Sequence, residues 1–172
     1  MSAEPINPYL HEVAITAIII KKQKYLITRR SLTKKKLPGR WTVPGGKLEV
    51  SDYINLPQDE ANAWYNILER TLKREVKEET GLIVDNIIYL TSLTTLHPGH
   101  APSLIISCTA KYKSGKVTLQ KEETDKYAWV SLKEAKNYDL IEGIYDELEM
   151  VKKQKKSKTK LEWKRVDSFA LP

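Results

Sequence analysis

Glu75, Glu78 and Glu79 place three carboxylates within five residues, in the run Arg74-Glu75-Val76-Lys77-Glu78-Glu79-Thr80-Gly81-Leu82. At 3.6 residues per helical turn, Glu75 and Glu79 stand one turn apart and Glu78 shares their side of the helix. Ionised carboxylates held together repel one another unless a cation sits among them. Hard oxygen ligands suit Mg²⁺, with Mn²⁺ as the alternative, and such ions bridge carboxylates to the phosphate oxygens of a substrate. The chemistry on offer is metal-assisted cleavage at phosphorus. A bare Glu-x-x-Glu-Glu is more simply a solvated acidic face, so the surrounding residues decide.

Upstream lies Trp41-Thr42-Val43-Pro44-Gly45-Gly46-Lys47-Leu48-Glu49, where paired glycines permit a tight turn and a close backbone approach. Together the two stretches resemble the Nudix box: Gly, five residues, Glu, seven residues, then Arg-Glu-aliphatic-any-Glu-Glu-any-Gly-aliphatic. Arg74 to Leu82 matches every specified position of the second half, and Gly46 supplies the first glycine. The first half departs from the pattern. After five residues Asp52 stands in place of Glu, and 21 residues rather than seven separate it from Arg74, an insertion of 14. Counting back from Arg74 instead puts Asn66 at the position of that Glu.

The resemblance implies an α/β domain, a Nudix-like α/β/α sandwich with a central mixed sheet, over residues 12–156. Glu75, Glu78 and Glu79 would then hold the metal, with Arg74 bracing Glu75. One of these carboxylates, or Glu123, six residues before Trp129, would orient or deprotonate the attacking water. Arg29, Arg30 and Arg40, Gly45 and Gly46, the turn residues His97 and His100, and Trp129 become candidates for touching substrate. Each has a plainer reading: solvated arginines, a turn, surface histidines, a core tryptophan. The implied reaction is hydrolysis of a phosphoanhydride bond in a nucleoside diphosphate-linked substrate, such as a nucleoside triphosphate or a nucleotide sugar. The altered first Glu and the insertion motivate the competing reading, a non-catalytic nucleotide-binding or sensing module of the same fold.

These residues need elements to position them. Val13 to Ile20, β-branched and apolar throughout, reads as a buried strand, paired through the Lys21–Lys24 turn with Tyr25–Arg30. Asn55 with Gln58 has the spacing of a capping box, and Ala61, Trp64, Tyr65, Leu68, Leu72 and Val76 recur at helical steps. The insertion, residues 53–66, is therefore expected to form a loop and an extra length of helix ahead of the carboxylates, with Gly81 ending the helix. Further strands are expected at Leu82–Val84, Ile87–Leu96 and Ser103–Tyr112. A hairpin turn at Lys113–Lys116 should then lead into Val117–Leu119, before a strand ending in Trp129 and Val130. Ser131 is a plausible N-cap, and a last amphipathic helix is expected from Asp139 or Leu140 to about Lys156.

Composition sets the limits. A chain of 172 residues holds one domain with a proper core. The net charge of +7 suggests nucleic acid only until it is located: residues 151–172 carry eight basic residues against two acids, which leaves the rest nearly neutral. A small nucleotide, not a nucleic acid, is the expected partner. The single cysteine, Cys108, rules out an internal disulfide framework and lies in an apolar run, as a buried side chain would. No apolar stretch is long enough to span a bilayer and no signal pattern opens the sequence, so a cytoplasmic location is expected. Residues 1–11 read as a leader and 157–172 as a basic tail. Monomer and homodimer both remain open.

Overall fold

The computed structural model describes residues 9–96 and 101–156, with the side chains of 155 and 156 left aside. The expected leader lies mostly, and the expected basic tail wholly, outside these residues, as do His97 and His100. A mixed sheet forms the centre. Its strands are β1 (Glu12–Lys21), β2 (Lys24–Arg30), β3 (Trp41–Thr42), β4 (Gly45–Lys47), β5 (Ile83–Thr95), β6 (Ser103–Ser114) and β7 (Thr124–Val130). They are ordered β3-β2-β1-β6-β5, with β4 also on β1 and β7 also on β2. Only the β1–β6 pairing is parallel; the other pairings are antiparallel.

Alternation along β1 builds two cores, because successive side chains of a strand point to opposite faces. Ile15, Ala17 and Ile19 join Leu72 and Val76 of helix α1 (Ile67–Thr80) on one face, and Cys108 is buried among them. Ile18 joins Ile144, Leu148 and Val151 of helix α3 (Ile144–Lys156) on the other, together with Ala135 of the short helix α2 (Leu132–Ala135). The expected α/β/α sandwich is therefore present. Ser131 caps α2, its hydroxyl accepting from the Glu134 N–H at 3.3 Å. No helix among the described residues is long and apolar enough to cross a membrane.

The insertion departs from expectation. Helix α1 begins only at Ile67, and Ala61, Trp64 and Tyr65 lie in a loop. Asn62 (φ 59°) and Asn66 (φ 57°) take the left-handed conformation, which interrupts any helix through them. The loop closes on itself instead. Tyr53 and Trp64 stack at 5.2 Å, and the Trp64 indole donates to the Leu56 carbonyl at 3.1 Å. Gln58 accepts from the Asn62 N–H at 3.1 Å, so the Asn55–Gln58 spacing marks a loop contact and not a cap.

Three more boundaries move. Leu82–Val84 and Ile87–Leu96 merge into β5, with register shifts near Asn86 (φ 49°). Val117–Leu119 forms no strand; the N–H groups of Thr118 and Gln120 instead donate to the carbonyls of Thr80 (2.9 Å) and Glu79 (3.2 Å), capping the end of α1. Helix α3 starts at Ile144 and not at Asp139 or Leu140, because Trp41 pairs with that segment, donating to the Asp139 carbonyl and accepting from the Ile141 N–H.

Gly81 ends α1 as expected, at φ 70° and ψ 2°, its N–H donating to the Lys77 carbonyl at 2.8 Å. A side chain there would meet the Lys116 carbonyl oxygen at 3.1 Å. Gly81→Ala is expected to cost about 1–2 kcal/mol, the usual penalty for an L-residue in this conformation. Urea denaturation measures it; an unchanged midpoint would mean that the left-handed turn is not needed.

Candidate functional site

Strand β4 lies beside the second half of α1, and it brings the glycines onto the carboxylates. The Gly45 N–H donates to Glu79 Oε2 at 3.2 Å. A Cβ on Gly46 would sit 2.2 Å from the Glu75 carboxyl, and one on Gly45 would sit 2.3 Å from the Ile15 carbonyl oxygen. No side chain fits at Gly45 while the strand stays where it is, and one at Gly46 would push the Glu75 carboxyl out of its place. The two halves of the motif thus meet in space despite the insertion.

Arg74 organises the acids around it. Its Nε and Nη2 donate to Asp52 Oδ1 and Oδ2 at 2.6 and 3.2 Å, while Nη1 reaches Glu75 at 3.0 Å and Glu78 at 2.9 Å. Asp52 also accepts from the Glu49 N–H (3.0 Å) and the Thr71 hydroxyl (2.9 Å). Burial alone would raise its pKa, but Arg74 and these two donors together hold it below the ordinary value. Arg74 is raised in turn, chiefly by its hydrogen bonds to Asp52. Asp52, counted forward from Gly46, is therefore the residue that meets Arg74, whereas Asn66 merely precedes α1 and makes no side-chain cap.

Glu79 is the most perturbed acid of the cluster. Burial pushes its pKa up to about 8, with Glu75 and Glu123 adding to the rise, while the Gly45 N–H and Arg30 oppose it. Burial also raises Glu75, partly offset by Arg74. Glu78 is half exposed, at 52%. Among the described residues no three His, Cys, Asp or Glu side chains converge as a finished metal cage, because Glu78 turns to Arg74 and Glu79 to Gly45. The donor set nevertheless fits a hard divalent cation: three carboxylates on one helix face, two of them part-buried with the charged form disfavoured, which added positive charge would relieve.

The other expected site residues divide. Glu123 lies close enough to Glu79 to act on its charge, and it is paired with Lys34 at 2.5 Å. Arg30 also acts on Glu79, and its Nε donates to the Lys36 carbonyl at 2.9 Å. Arg29 is committed to Asp125 through two bonds of 2.7 and 2.6 Å, and Arg40 to Asp139 and Glu142 at 3.1 Å each. Trp129 packs edge-on to Tyr112 at 6.2 Å and against the core cluster that holds Leu72 and Val76 of α1. It stands five residues, about 16 Å of strand, along β7 from Thr124, whose hydroxyl donates to the Glu79 carbonyl.

Glu147 escaped the sequence reading. It is 6% exposed beneath α3, bonded to the Ser107 hydroxyl at 2.8 Å, and its pKa is raised by burial. The available signal was its place in the apolar stripe between Ile144 and Leu148.

A family profile described as NUDIX domain matches residues 10–151. The chain belongs to the Nudix family. It is 30% identical over 142 residues to the nucleoside triphosphatase NudI of Klebsiella pneumoniae, an alignment covering 76% of this chain and 89% of the relative. Solved Nudix folds superpose on it. The MutT protein of Methanosarcina mazei Go1 gives a TM-score of 0.65 at 25% identity, covering 91% of this chain and all of that one. The MutT Nudix hydrolase of Burkholderia pseudomallei gives 0.63 at 19%, covering 83% and 98%. The chain is a Nudix hydrolase, of a family that generally uses a divalent metal.

The raised pKa of Glu79 has a consequence for stability. A carboxyl whose folded pKa exceeds its unfolded value stabilises the fold while protonated, and that contribution disappears as pH climbs from about 4.5 through about 8. In chelator, wild-type stability should therefore fall from about pH 5 to about pH 9, by on the order of a few kcal/mol from this group, seen as a falling melting temperature. Glu79→Gln, which mimics the protonated acid, should fall less and be the more stable protein at the alkaline end. Parallel melting curves for the two would remove Glu79 as the source.

Proposed function

We propose that this Nudix hydrolase cleaves a phosphoanhydride bond of a nucleoside diphosphate-linked substrate, a nucleoside triphosphate or a nucleotide sugar, with Mg²⁺. The observation that carries the reading is the contact of Gly45 and Gly46 with Glu79 and Glu75, which reassembles the motif across 14 inserted residues. The similarity to a nucleoside triphosphatase supports the substrate class.

Glu75, Glu78 and Glu79 hold the cation in this proposal. Bound there, Mg²⁺ neutralises charge on the phosphate oxygens. Arg74 keeps Glu75 oriented while Asp52 fixes Arg74 from behind. Glu123, which is not needed as a ligand, takes the proton of the attacking water, as the new oxygen–phosphorus bond forms and the bridging oxygen leaves with the departing group. Lys34, paired with Glu123 at 2.5 Å, holds that carboxylate in position. Arg30, tied by one carbonyl contact only, is the arginine that turns to phosphate. The basic excess of residues 151–172 lies away from this cluster in sequence, in keeping with a small nucleotide as substrate.

The test separates turnover from binding. A carboxylate that acts on the transition state affects rate more than ground-state affinity. Glu79→Gln should lower Mg²⁺-dependent turnover roughly a thousandfold, equivalent to about 4 kcal/mol, while nucleotide affinity by calorimetry changes much less. The assay is a panel of nucleoside triphosphates and nucleotide sugars with monophosphate, phosphate and pyrophosphate as readouts. Wild type that binds nucleotide tightly and hydrolyses none of the panel would leave a sensor in place of an enzyme.

A further inference from the structure

The insertion brings one side chain, Leu56, to a cavity beside α1. A cavity of about 450 Å³ lies between the Glu49–Asp52 segment and the outer side of α1, lined by Glu49, Ser51, Asp52, Leu56, Arg70, Arg74 and Glu78, of which Leu56 alone comes from the insertion. Arg70, Arg74 and Glu78 follow one another at four-residue steps, so the cavity opens directly beside the carboxylate cluster. Leu56 is held in place, because its carbonyl accepts from the Trp64 indole and Trp64 packs at a tilt against Tyr53.

The chemistry of the lining selects its occupant. Asp52 spends its oxygens on Arg74, Thr71 and the Glu49 N–H, and Arg74 is spent on Asp52, Glu75 and Glu78. Glu78 is claimed by the cation of the proposed mechanism. Arg70, Glu49 and Ser51 remain, with the methyls of Leu56. Arg70 is exposed and makes no side-chain hydrogen bond or ion pair with the described residues, whereas the Ser51 hydroxyl donates to Glu49 at 3.1 Å. One donor fork, one carboxylate acceptor, one hydroxyl and one apolar contact make a set balanced in charge. A terminal pyrophosphate brings several negative charges and would face Glu49 with only Arg70 to offset it. A neutral group rich in hydroxyls donates to the carboxylate, accepts from the guanidinium and lays its carbon face on Leu56. The volume is ample for a pentose or hexose.

Resting on the hydrolase reading above, we infer that the cavity between the Glu49–Asp52 segment and α1 receives the sugar of a nucleoside diphosphate sugar, with Arg70 and Glu49 as the groups that discriminate it from a triphosphate. The sugar leaves on its phosphate when the anhydride is cleaved, so Arg70 acts on specificity and not on the chemical step.

The experiment compares wild type with Arg70→Ala, an exposed helical position where alanine keeps the fold. Substrates are UDP-glucose, ADP-ribose and GDP-mannose, each against the triphosphate of the same base, with Mg²⁺. For the best sugar nucleotide, Arg70→Ala should raise KM about tenfold with kcat nearly unchanged, the size of one lost charge-assisted hydrogen bond. The matched triphosphate should change less than about twofold. Calorimetry with the same compounds gives a reading independent of turnover. Triphosphates hydrolysed while sugar nucleotides are neither cleaved nor bound, or an equal loss on both classes, overturns the sugar site and leaves the hydrolase standing. Sugar nucleotides bound in an Arg70-dependent way but never cleaved keeps the site and overturns the hydrolase. Wild type that neither binds nor cleaves any of the six overturns both.

Discussion

The close approach of β4 to the carboxylate face of α1 is the constraint from which the site follows. Two glycines shape that approach: a Cβ at position 45 would fall 2.3 Å from the Ile15 carbonyl oxygen of β1, and one at position 46 would fall 2.2 Å from the Glu75 carboxyl and displace it. That contact takes Glu75 and Glu79 out of water, and removal from water is what disfavours their charged forms. Packing therefore sets the electrostatics. A helix with the same acids and no neighbouring strand would be an ordinary solvated face.

Around that contact the ionic partners form two tiers. Arg74 gathers Asp52, Glu75 and Glu78 on the side of the insertion, and Lys34 meets Glu123 on the side of β7. Among the described residues, Glu79 stands between them with the Gly45 N–H as the hydrogen-bond donor to its carboxyl group. The least compensated acid is the most central one, and its charged form is the one that added positive charge would favour most.

Local signals were read correctly wherever the signal and the structure share a length scale. Arg74–Leu82 is one helical end with its own stop residue, and Val13–Arg30 is a hairpin whose partners are adjacent in sequence. The helical steps of Ala61, Trp64 and Tyr65 continue those of Leu68, Leu72 and Val76, yet left-handed Asn62 and Asn66 interrupt the helix and the Trp64 ring is used in a loop contact with Tyr53. Val117–Leu119 has strand composition but finds its hydrogen bonds at the end of α1. Local propensity yields when distant backbone groups offer better partners. The commitment of Arg29 to Asp125 and of Lys34 to Glu123, over 96 and 89 residues, left no trace in either local run. The choice between Asp52 and Asn66 likewise required the geometry of Arg74.

The self-contained loop of residues 53–66 bears on how freely this segment can vary. The entropy of closing a loop grows only with the logarithm of its length, so tripling the spacing between the two halves of the motif costs about 1 kcal/mol. The Asp52–Arg74 pair fastens one end and the first turn of α1 the other, and contacts such as Tyr53–Trp64 are internal. Length and composition between those fastenings are thus nearly uncoupled from the core. A lineage can rewrite this loop, and whatever it touches, without having to rebuild the fold that carries the carboxylates.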